Sequence, residues 1–345
     1  MKLTKIMYPI NYLSKVNIPA NHDKYKNNQI KISCGEDNPD KTFYVIRTPQ
    51  DTVGLFSIVL TNLTHITYAV KSGYIPVVDL KNVKNSYSDG QSNAWELFFK
   101  QPMDDTLDDI STSKNVILSG LERIHENYPL NVNRIYYKRY KNKFILFKDI
   151  YNQYIRINQN SMEYMQTDFN NIFQNGRRIL GVLCRGTDYI LKEPKGHPIQ
   201  PDPIDVIKKA KEIMRKYNCS HIYLATEDES VFELFKLYFE NTLLTNRQKR
   251  FTYREFKDIE CLNQINRSRK NDKYLTALDY LSSINILSKC NCFIGGRTSG
   301  TAGVYFMSNG FEYDYIWDIG TYHPKLISEN YIKLYINMWR RNSNL

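Results

Sequence analysis

The chain has 345 residues, 42% of them hydrophobic and 24% charged, which is typical of a soluble globular protein and long enough for two domains. No apolar run approaches the roughly 20 residues that span a bilayer, and the first residues lack the apolar segment of a signal peptide, so we expect a cytoplasmic protein. The net charge of +11 favours anionic partners such as nucleotides, acidic glycans, anionic lipid surfaces or nucleic acid, without choosing among them.

The first half opens with a strand, a helix and a second strand. Residues 1–40 are polar and rich in Lys and Asn, and we expect irregular surface structure there. Residues 41–47 (KTFYVIR) predict a strand, apolar residues recur at helical spacing over 57–71, and residues 74–80 (YIPVVDL) predict the next strand. Because Gly73 ends the helix directly before that strand, the segment is typical of a βαβ unit.

Residues 131–175 are dense in Tyr, Lys, Asn and Phe and contain no Gly or Pro. We predict one or two amphipathic helices here that cross between two domains. Interleaved basic and aromatic residues are also a feature of nucleic-acid-binding proteins. A solvated helix face is the simpler interpretation of the same pattern.

The second half alternates apolar strands with helices. Strands are predicted at residues 178–184, 221–225, 291–295 and 313–317, and helices at 203–217, 229–239, 272–289 and up to 308. Asp202 is the expected N-cap of the first of these helices. Apolar strands alternating with helices indicate a parallel sheet, with ligands at the carboxyl ends of its strands.

Three loops that follow predicted strands hold most of the polar residues of interest in this half. They cover residues 185–202, 226–229 and 296–300. Because parallel strands end at one edge of a sheet, we expect the three loops to form one binding crevice.

The third of these loops, GRTSG, suits an anion. Backbone N–H groups at the start of a helix, together with Arg297, the hydroxyls of Thr298 and Ser299, and Gly300, make an anion site. The pattern is neither a Walker motif nor GxGxxG. An ordinary capped helix start is the alternative, because capping alone explains Thr and Ser at these positions.

The first loop carries Arg185, Asp188, Glu193 and His197 within thirteen residues. An arginine directly after a buried strand is placed to hold a diphosphate with two parallel hydrogen bonds. Asp188 is suited to orient that arginine. A purely structural Arg–Asp pair is the alternative.

Cysteine usage gives no sign of a metal site or a disulfide framework. Only Cys290 and Cys292 are close together, and no second pair or nearby histidine completes a zinc set. We expect small buried thiols at all six positions. These are Cys34, Cys184, Cys219, Cys261, Cys290 and Cys292.

The second half also resembles a known family. The segment GVLCRGTD from residue 181, with Glu193 and His197-Pro198 after it, resembles the first motif of the GDP-fucosyltransferase superfamily. That superfamily includes the α1,6-fucosyltransferases of animals and rhizobial nodulation enzymes and the protein O-fucosyltransferases. Residues 225–228 (ATED) resemble its second motif, and residues 287–300 resemble its third. The resemblance covers residues 178–308 and is weak elsewhere.

The resemblance implies an α/β protein of the GT-B fold, with two Rossmann-like domains facing a cleft. It implies an N-terminal acceptor-side domain at 1–170, a nucleotide-sugar-binding domain at 171–322 and a helix at 323–345 that packs back on the first domain. It also implies an inverting glycosyltransferase that needs neither a metal ion nor another cofactor.

The resemblance assigns roles to individual residues. Arg185, with backbone amides near Ser299, meets the charge of the departing diphosphate, and Glu193 is the base for the acceptor hydroxyl. Asp228 matches a carboxylate on the guanosine side of the donor. The expected donor-binding residues are Asp188, Glu227, Asp228, Asp279, Arg297, Thr298, Ser299 and Gly300. Gly54, Ser57 and His65, which resemble the family's N-terminal Gly-rich loop and helix, are expected with His197 on the acceptor side or in the cleft.

Departures from the family pattern leave alternatives open. Leu183 stands where the family has a histidine, Gly186 where it has a second arginine, and Gly300 where it has a glutamine. The family also has an aspartate on a helix at the position of Ser283, whereas this chain has Asp279 one turn earlier. GDP-fucose is the favoured donor, and another GDP-sugar or nucleotide sugar is the first alternative. A catalytically silent glycan-binding relative and a basic nucleic-acid-binding protein are the others, although we expect no nucleic-acid partner.

We expect the acceptor to be a glycan hydroxyl in surface polysaccharide synthesis. The basic surface would suit a lipid-linked acceptor at the inner face of the membrane, and residues 331–341 (YIKLYINMWRR) are apolar and basic enough for peripheral contact. Packing of that segment against the N-terminal domain is the favoured alternative.

Overall fold

The structure is a computed structural model that describes residues 29–50, 53–120, 141–174, 176–259, 262, 265 and 268–322. The first half contains strands β1 (Ile30–Ile32), β2 (Phe43–Ile46), β3 (Ile75–Val78) and β4 (Val116–Leu118), and helices α1 (Leu55–Lys71), α2 (Leu107–Ser111), α3 (Lys141–Tyr154) and α4 (Gln159–Ile172). The second half contains strands β5 (Ile179–Leu183), β6 (His221–Ala225), β7 (Leu243–Leu244), β8 (Cys292–Gly296) and β9 (Tyr313–Trp317). Its helices are α5 (Thr187–Lys192), α6 (Pro203–Lys216), α7 (Glu229–Phe239), α8 (Tyr253–Phe256), α9 (Asp272–Leu287) and α10 (Ser299–Met307).

The first sheet has the order β1-β4-β2-β3. Strands β2 and β3 are parallel and joined by α1, which confirms the predicted βαβ unit. Strand β1 pairs antiparallel with β4 at the edge of the sheet. The expectation of irregular structure up to residue 40 is therefore wrong for β1, because a strand of three residues is too short to show an alternating pattern.

The second sheet is entirely parallel, in the order β7-β6-β5-β8-β9. Every residue of β5 and β8 is buried, which explains their uninterrupted apolar sequences. The chain runs outward from β5 through β6 to β7 and then returns to β8 on the other side of β5. The point between β5 and β8 is thus the topological switch point, beyond whose carboxyl edge open α/β sheets bind ligands.

Most predicted elements of the second half are confirmed, several of them to the residue. Helix α6 begins at Pro203, and the carboxylate of Asp202 accepts a hydrogen bond of 2.7 Å from the Ile204 amide, as expected of its N-cap. The sequence did not predict the short elements α5, β7 and α8.

The predicted helices between the halves are confirmed by α3 and α4, while residues 131–140 lie outside the described residues. Helix α3 packs on α1 and α10, and α4 packs on α9. One hydrophobic core contains residues from both sheets, among them Tyr44 and Phe293. The α/β prediction is therefore confirmed, with parallel strand pairs in both sheets. The boundary predicted after residue 170 falls within α4 and stays a prediction, and the predicted helix at 323–345 lies outside the described residues.

Four cysteines are buried thiols as expected, and Cys34 is half-buried. Cys261 lies outside the described residues. None of the helices in the described ranges has both the length and the apolar character needed to cross a membrane.

Candidate functional site

The three predicted loops leave neighbouring strands at the carboxyl edge of the second sheet. They follow β5, β6 and β8, which are adjacent, with β5 in the middle. The Gln200 amide joins the first loop to the third by donating to the Arg297 carbonyl at 3.2 Å. An added methyl group at Gly296 would lie 2.2 Å from Gln200 Oε1, so only glycine fits at this contact. The three loops therefore lie side by side as expected, and their forming one binding crevice stays a prediction.

Arg185 lies two residues after the end of β5, and two neighbouring side chains contact its own. The guanidinium lies 4.0 Å from the centre of the Tyr189 ring, which α5 presents, in a cation–π contact. Its Nε lies 3.8 Å from Glu227 Oε1. The side chain is 25% exposed, so it is only partly enclosed by the protein. Glu227 is therefore placed to orient Arg185, and the orienting role suggested for Asp188 stays a prediction, because the Asp188 side chain lies outside the described residues.

Two adjacent carboxylates after β6 hold the loop that carries Arg185. Glu227 Oε1 accepts hydrogen bonds from the Gly186 amide at 3.2 Å and the Thr187 hydroxyl at 3.0 Å. Asp228 Oδ2 accepts from the Thr187 amide at 2.8 Å, and its Oδ1 caps α7 through the Ser230 amide, also at 2.8 Å. Both carboxylates position the first loop, and their contact with a donor stays a prediction.

The same contact explains why no second arginine stands at position 186. A Cβ atom on Gly186 would lie 2.4 Å from Asp228 Oδ2. No side chain fits there unless the loop or Asp228 moves. The departure from the family motif is thus built into the packing of the two loops.

Glu193 and His197 lie on the exposed side of the first loop. Glu193 ends α5 in the left-handed conformation, with φ of 44°. Thr187, at the start of the same helix, has φ of 52°. Such conformations in residues other than glycine cost about 1–3 kcal/mol and are concentrated at functional sites. His197 Nδ1 lies 2.9 Å from the Tyr189 hydroxyl, which links His197 to the ring that carries Arg185.

The start of α10 presents the second set of predicted residues. Thr298 is the N-cap, and its hydroxyl accepts from the Thr301 amide at 3.1 Å. Ser299 and Gly300 begin the helix, whose first turn carries no acidic residue. Its backbone amides therefore form a positive helix end beside the switch point. Arg297 forms an ion pair with Asp318.

Asp279 lies deeper, between α9 and α4. It is 1% exposed, and Oδ1 accepts a hydrogen bond of 2.6 Å from the Tyr164 hydroxyl. Burial raises the pKa of the Asp279 carboxyl, while the Tyr164 hydrogen bond and Arg269 oppose that rise. Ser283, where the family has its aspartate, is also buried and accepts a hydrogen bond from Asn246. Contact between Asp279 and the sugar-nucleotide donor stays a prediction.

Of the four residues expected on the acceptor side or in the cleft, all except His197 lie on or before α1. Gly54 is exposed at the N-cap of this helix, and Ser57 in its first turn is half-buried. His65 is different, because it is 1% exposed and its two ring nitrogens lie 3.0 Å from the Tyr44 hydroxyl and 3.1 Å from the Thr48 hydroxyl. His65 is therefore enclosed within the first half, and its expected place on the acceptor side or in the cleft stays a prediction.

The sequence missed three residues that contact this region. Tyr189 packs on the Arg185 guanidinium, and no helical spacing pointed to the pair, because Arg185 precedes α5. Gln200 joins two loops, and Tyr280 on α9 reaches Gly300. The last two contacts join segments far apart in sequence, and no local pattern reveals them. Within the described ranges, no group of three His, Cys, Asp or Glu side chains is arranged to hold a metal ion.

Solved structures similar to this chain include NodZ α1,6-fucosyltransferase soaked with GDP-fucose, at 14% identity and a TM-score of 0.47, covering 83% of this chain and 98% of NodZ. POFUT1 in its apo form is 10% identical with a TM-score of 0.46, covering 81% of this chain and 99% of POFUT1. A variant of FUT1 from Arabidopsis thaliana in complex with GDP is 8% identical with a TM-score of 0.44, covering 83% and 72%. No protein-family model and no curated protein matches the chain.

Proposed function

We propose that this protein is an inverting, metal-independent glycosyltransferase that uses a GDP-sugar, with GDP-fucose as the first candidate. The observation that carries the proposal is the pair of anion-binding elements at the switch point. Arg185 lies in the loop after β5, and the positive start of α10 follows the neighbouring strand β8. A diphosphate between them would meet a guanidinium on one side and backbone amides on the other.

The proposed chemistry needs no metal because the protein supplies the charge. When the bond between the sugar and the diphosphate breaks, negative charge grows on the leaving phosphate. Arg185, held by Tyr189 and Glu227, and the amides of Ser299 and Gly300 are positioned before the reaction begins. Preorganised donors of this kind stabilise a transition state without reorganisation.

Glu193 is the proposed base. The acceptor hydroxyl attacks the anomeric carbon from the face opposite the diphosphate, its proton passes to the Glu193 carboxylate, and the bond to the diphosphate breaks in the same step. A single displacement inverts the anomeric configuration. The exposed position of Glu193 at the end of α5, eight residues after Arg185, supports access to a second substrate.

The acceptor is proposed to be a glycan hydroxyl in surface polysaccharide synthesis, approaching from the side of Gly54 and Ser57. The net charge of +11 supports an acidic or lipid-linked acceptor and work in the cytoplasm at the inner membrane face. A different nucleotide sugar is the second candidate for the donor. It is favoured by Gly186, where Asp228 occupies the space of the family's second arginine.

The test is hydrolysis of GDP-fucose by the purified protein, with water as the acceptor, with and without EDTA. We expect GDP release that EDTA leaves unchanged. The freed sugar, read by NMR before mutarotation, should have the configuration opposite to that in the donor. Loss of turnover on chelation, restored by manganese or magnesium, would contradict the metal-independent mechanism. Retained configuration would contradict the single displacement.

A further inference from the structure

Tyr280 reaches from α9 to the first turn of α10. A Cβ atom on Gly300 would lie 2.0 Å from the Tyr280 hydroxyl oxygen and 3.0 Å from Cζ. The hydroxyl therefore occupies the space that any side chain at position 300 would need. Gly300, which the sequence placed in the donor site for the sake of its backbone, is also the residue that admits this tyrosine.

The Tyr280 ring is fixed from the other side by the first half of the chain. The Phe56 ring of α1 meets it edge to face, with centroids 5.8 Å apart. Phe56 also packs on Gly303, where an added Cβ would lie 2.2 Å from the ring. Gly300 and Gly303 lie three residues apart on one face of α10, and each makes room for one aromatic ring. The position of the Tyr280 hydroxyl is therefore set by packing on both sides.

The electrostatic surroundings of the hydroxyl are those of the proposed diphosphate site. Burial raises the pKa of Tyr280, Arg185 lowers it, Glu227 raises it, and a hydrogen bond with Thr298 lowers it again. Arg185 and Thr298 belong to the two anion-binding elements of the switch point. At neutral pH the hydroxyl keeps its proton, so it can donate a hydrogen bond to an anion.

We propose that Tyr280 is a third diphosphate-binding residue, whose hydroxyl donates to a phosphate oxygen between Arg185 and the start of α10. The proposal rests on the proposed function, because it places the donor's diphosphate at the switch point. It adds an uncharged hydrogen-bond donor from α9, which lies outside both anion-binding loops.

The test compares GDP with guanosine, which lacks both phosphates, in calorimetric titrations of Tyr280→Phe. Removing one hydrogen bond to a charged group should weaken GDP binding roughly 10–100-fold. Guanosine binding should not change. Tyr274→Phe is the matched control, because it removes a hydroxyl from the same helix, where Tyr274 packs on Phe98 with ring centroids 5.4 Å apart. It should bind both ligands as the wild type does.

Two outcomes would overturn the proposal while leaving the proposed function intact. One is unchanged GDP binding by Tyr280→Phe. The other is an equal loss for GDP and guanosine, which would give Tyr280 a structural role only. The thermal midpoint of the ligand-free variant separates a folding defect from a lost contact. If the wild type binds no nucleoside diphosphate at all, the proposed function fails first and this proposal fails with it.

Discussion

The carboxyl edges of the two sheets both carry an arginine and a carboxylate after apolar strands, but the two edges differ in their exposure. At the first sheet, Arg47 follows β2 and Asp79 follows β3, with 3% and 0% exposure. Their ion pair has an Nε–Oδ2 distance of 3.3 Å. At the second sheet, Arg185 is 25% exposed beside Glu227, and Glu193 in the same loop is exposed.

The difference shows which polar residues are structural. The Asp79 carboxylate accepts hydrogen bonds from the amides of Lys81 and Asn82 besides its ion pair, so its hydrogen-bonding capacity is used within the protein. His65 at the same edge is similarly enclosed. At the second edge, Arg185 and Ser299 are partly exposed. One sequence signal, a polar residue after a buried strand, thus marks an enclosed ion pair in the first half and the partly exposed residues of the proposed binding site in the second.

The largest effect on catalysis is expected for Glu193→Gln. Glutamine keeps the size and polarity of the side chain but cannot take the acceptor proton at neutral pH. A general base contributes typically 10²–10⁴-fold, so kcat should fall by about that factor while GDP binding is unchanged. Paired kcat and titration measurements check this. Glu212→Gln, in an exposed pair with Lys209, is the control. Normal turnover would make Glu193 a solvated loop charge, and weaker GDP binding alone would place it in the donor pocket.

Asp79→Ala should show that the buried Arg47–Asp79 pair at the first edge stabilises the fold. The change leaves the Arg47 charge buried without its carboxylate partner, so the free energy of unfolding should fall by about 3–5 kcal/mol. Urea denaturation measures it. Glu36→Ala is the control, because the Glu36–Lys114 pair is exposed and should contribute about 1 kcal/mol or less. Equal effects of the two changes would mean that burial of the Arg47–Asp79 pair does not matter.

Arg185→Lys should nearly abolish transfer without unfolding the protein. Lysine keeps the charge but loses the planar fork and the stacking on Tyr189. The transition state should lose roughly 2–4 kcal/mol, as when a preorganised donor is removed. Arg178→Lys is a matched control, since Arg178 stands at the opposite end of β5 in a surface pair with Glu312. Turnover at the wild-type rate by Arg185→Lys would exclude Arg185 as the diphosphate clamp.

Gly186→Ala tests the close contact between Asp228 in the second loop and Gly186 in the first. The new methyl group would meet Asp228 Oδ2 at 2.4 Å, and overpacking of this kind costs about 1–3 kcal/mol of unfolding free energy. Gly54→Ala, where no atom lies within 4 Å of the added methyl, should cost about 1 kcal/mol or less. If Gly186→Ala is as stable as Gly54→Ala, the loop is looser than the contact indicates.

The parts of the fold that could be predicted from sequence are those with a long, regular pattern. The bounds of β6, α7 and β9 match the prediction, because five to eleven residues give a clear apolar rhythm. Strands β1 and β7 have three and two residues, too few for any periodicity.

The residues of the candidate site were also predictable only where a local pattern marked them. The position of Arg185 at the carboxyl edge of the sheet could be predicted because it comes shortly after a clearly apolar strand. The roles of Glu227 and Asp228 as clamps, and the contact between Tyr280 and Gly300, depend on how separate segments pack. Local sequence carries no record of such packing. The burial of His65 could not be predicted for the same reason, since only the structure shows Tyr44 and Thr48 on either side of its ring.

The most direct test of the central claim, that the switch point of the second sheet binds a GDP-sugar, is a thermal-shift series of the wild type with GDP, UDP and CMP. A ligand at 100 times its dissociation constant adds about 2.7 kcal/mol to the free energy of unfolding. We predict that GDP stabilises the protein by this amount at a saturating concentration, and that UDP and CMP do not. Stabilisation by UDP or CMP equal to that by GDP, or no stabilisation by any of the three, would contradict the claim.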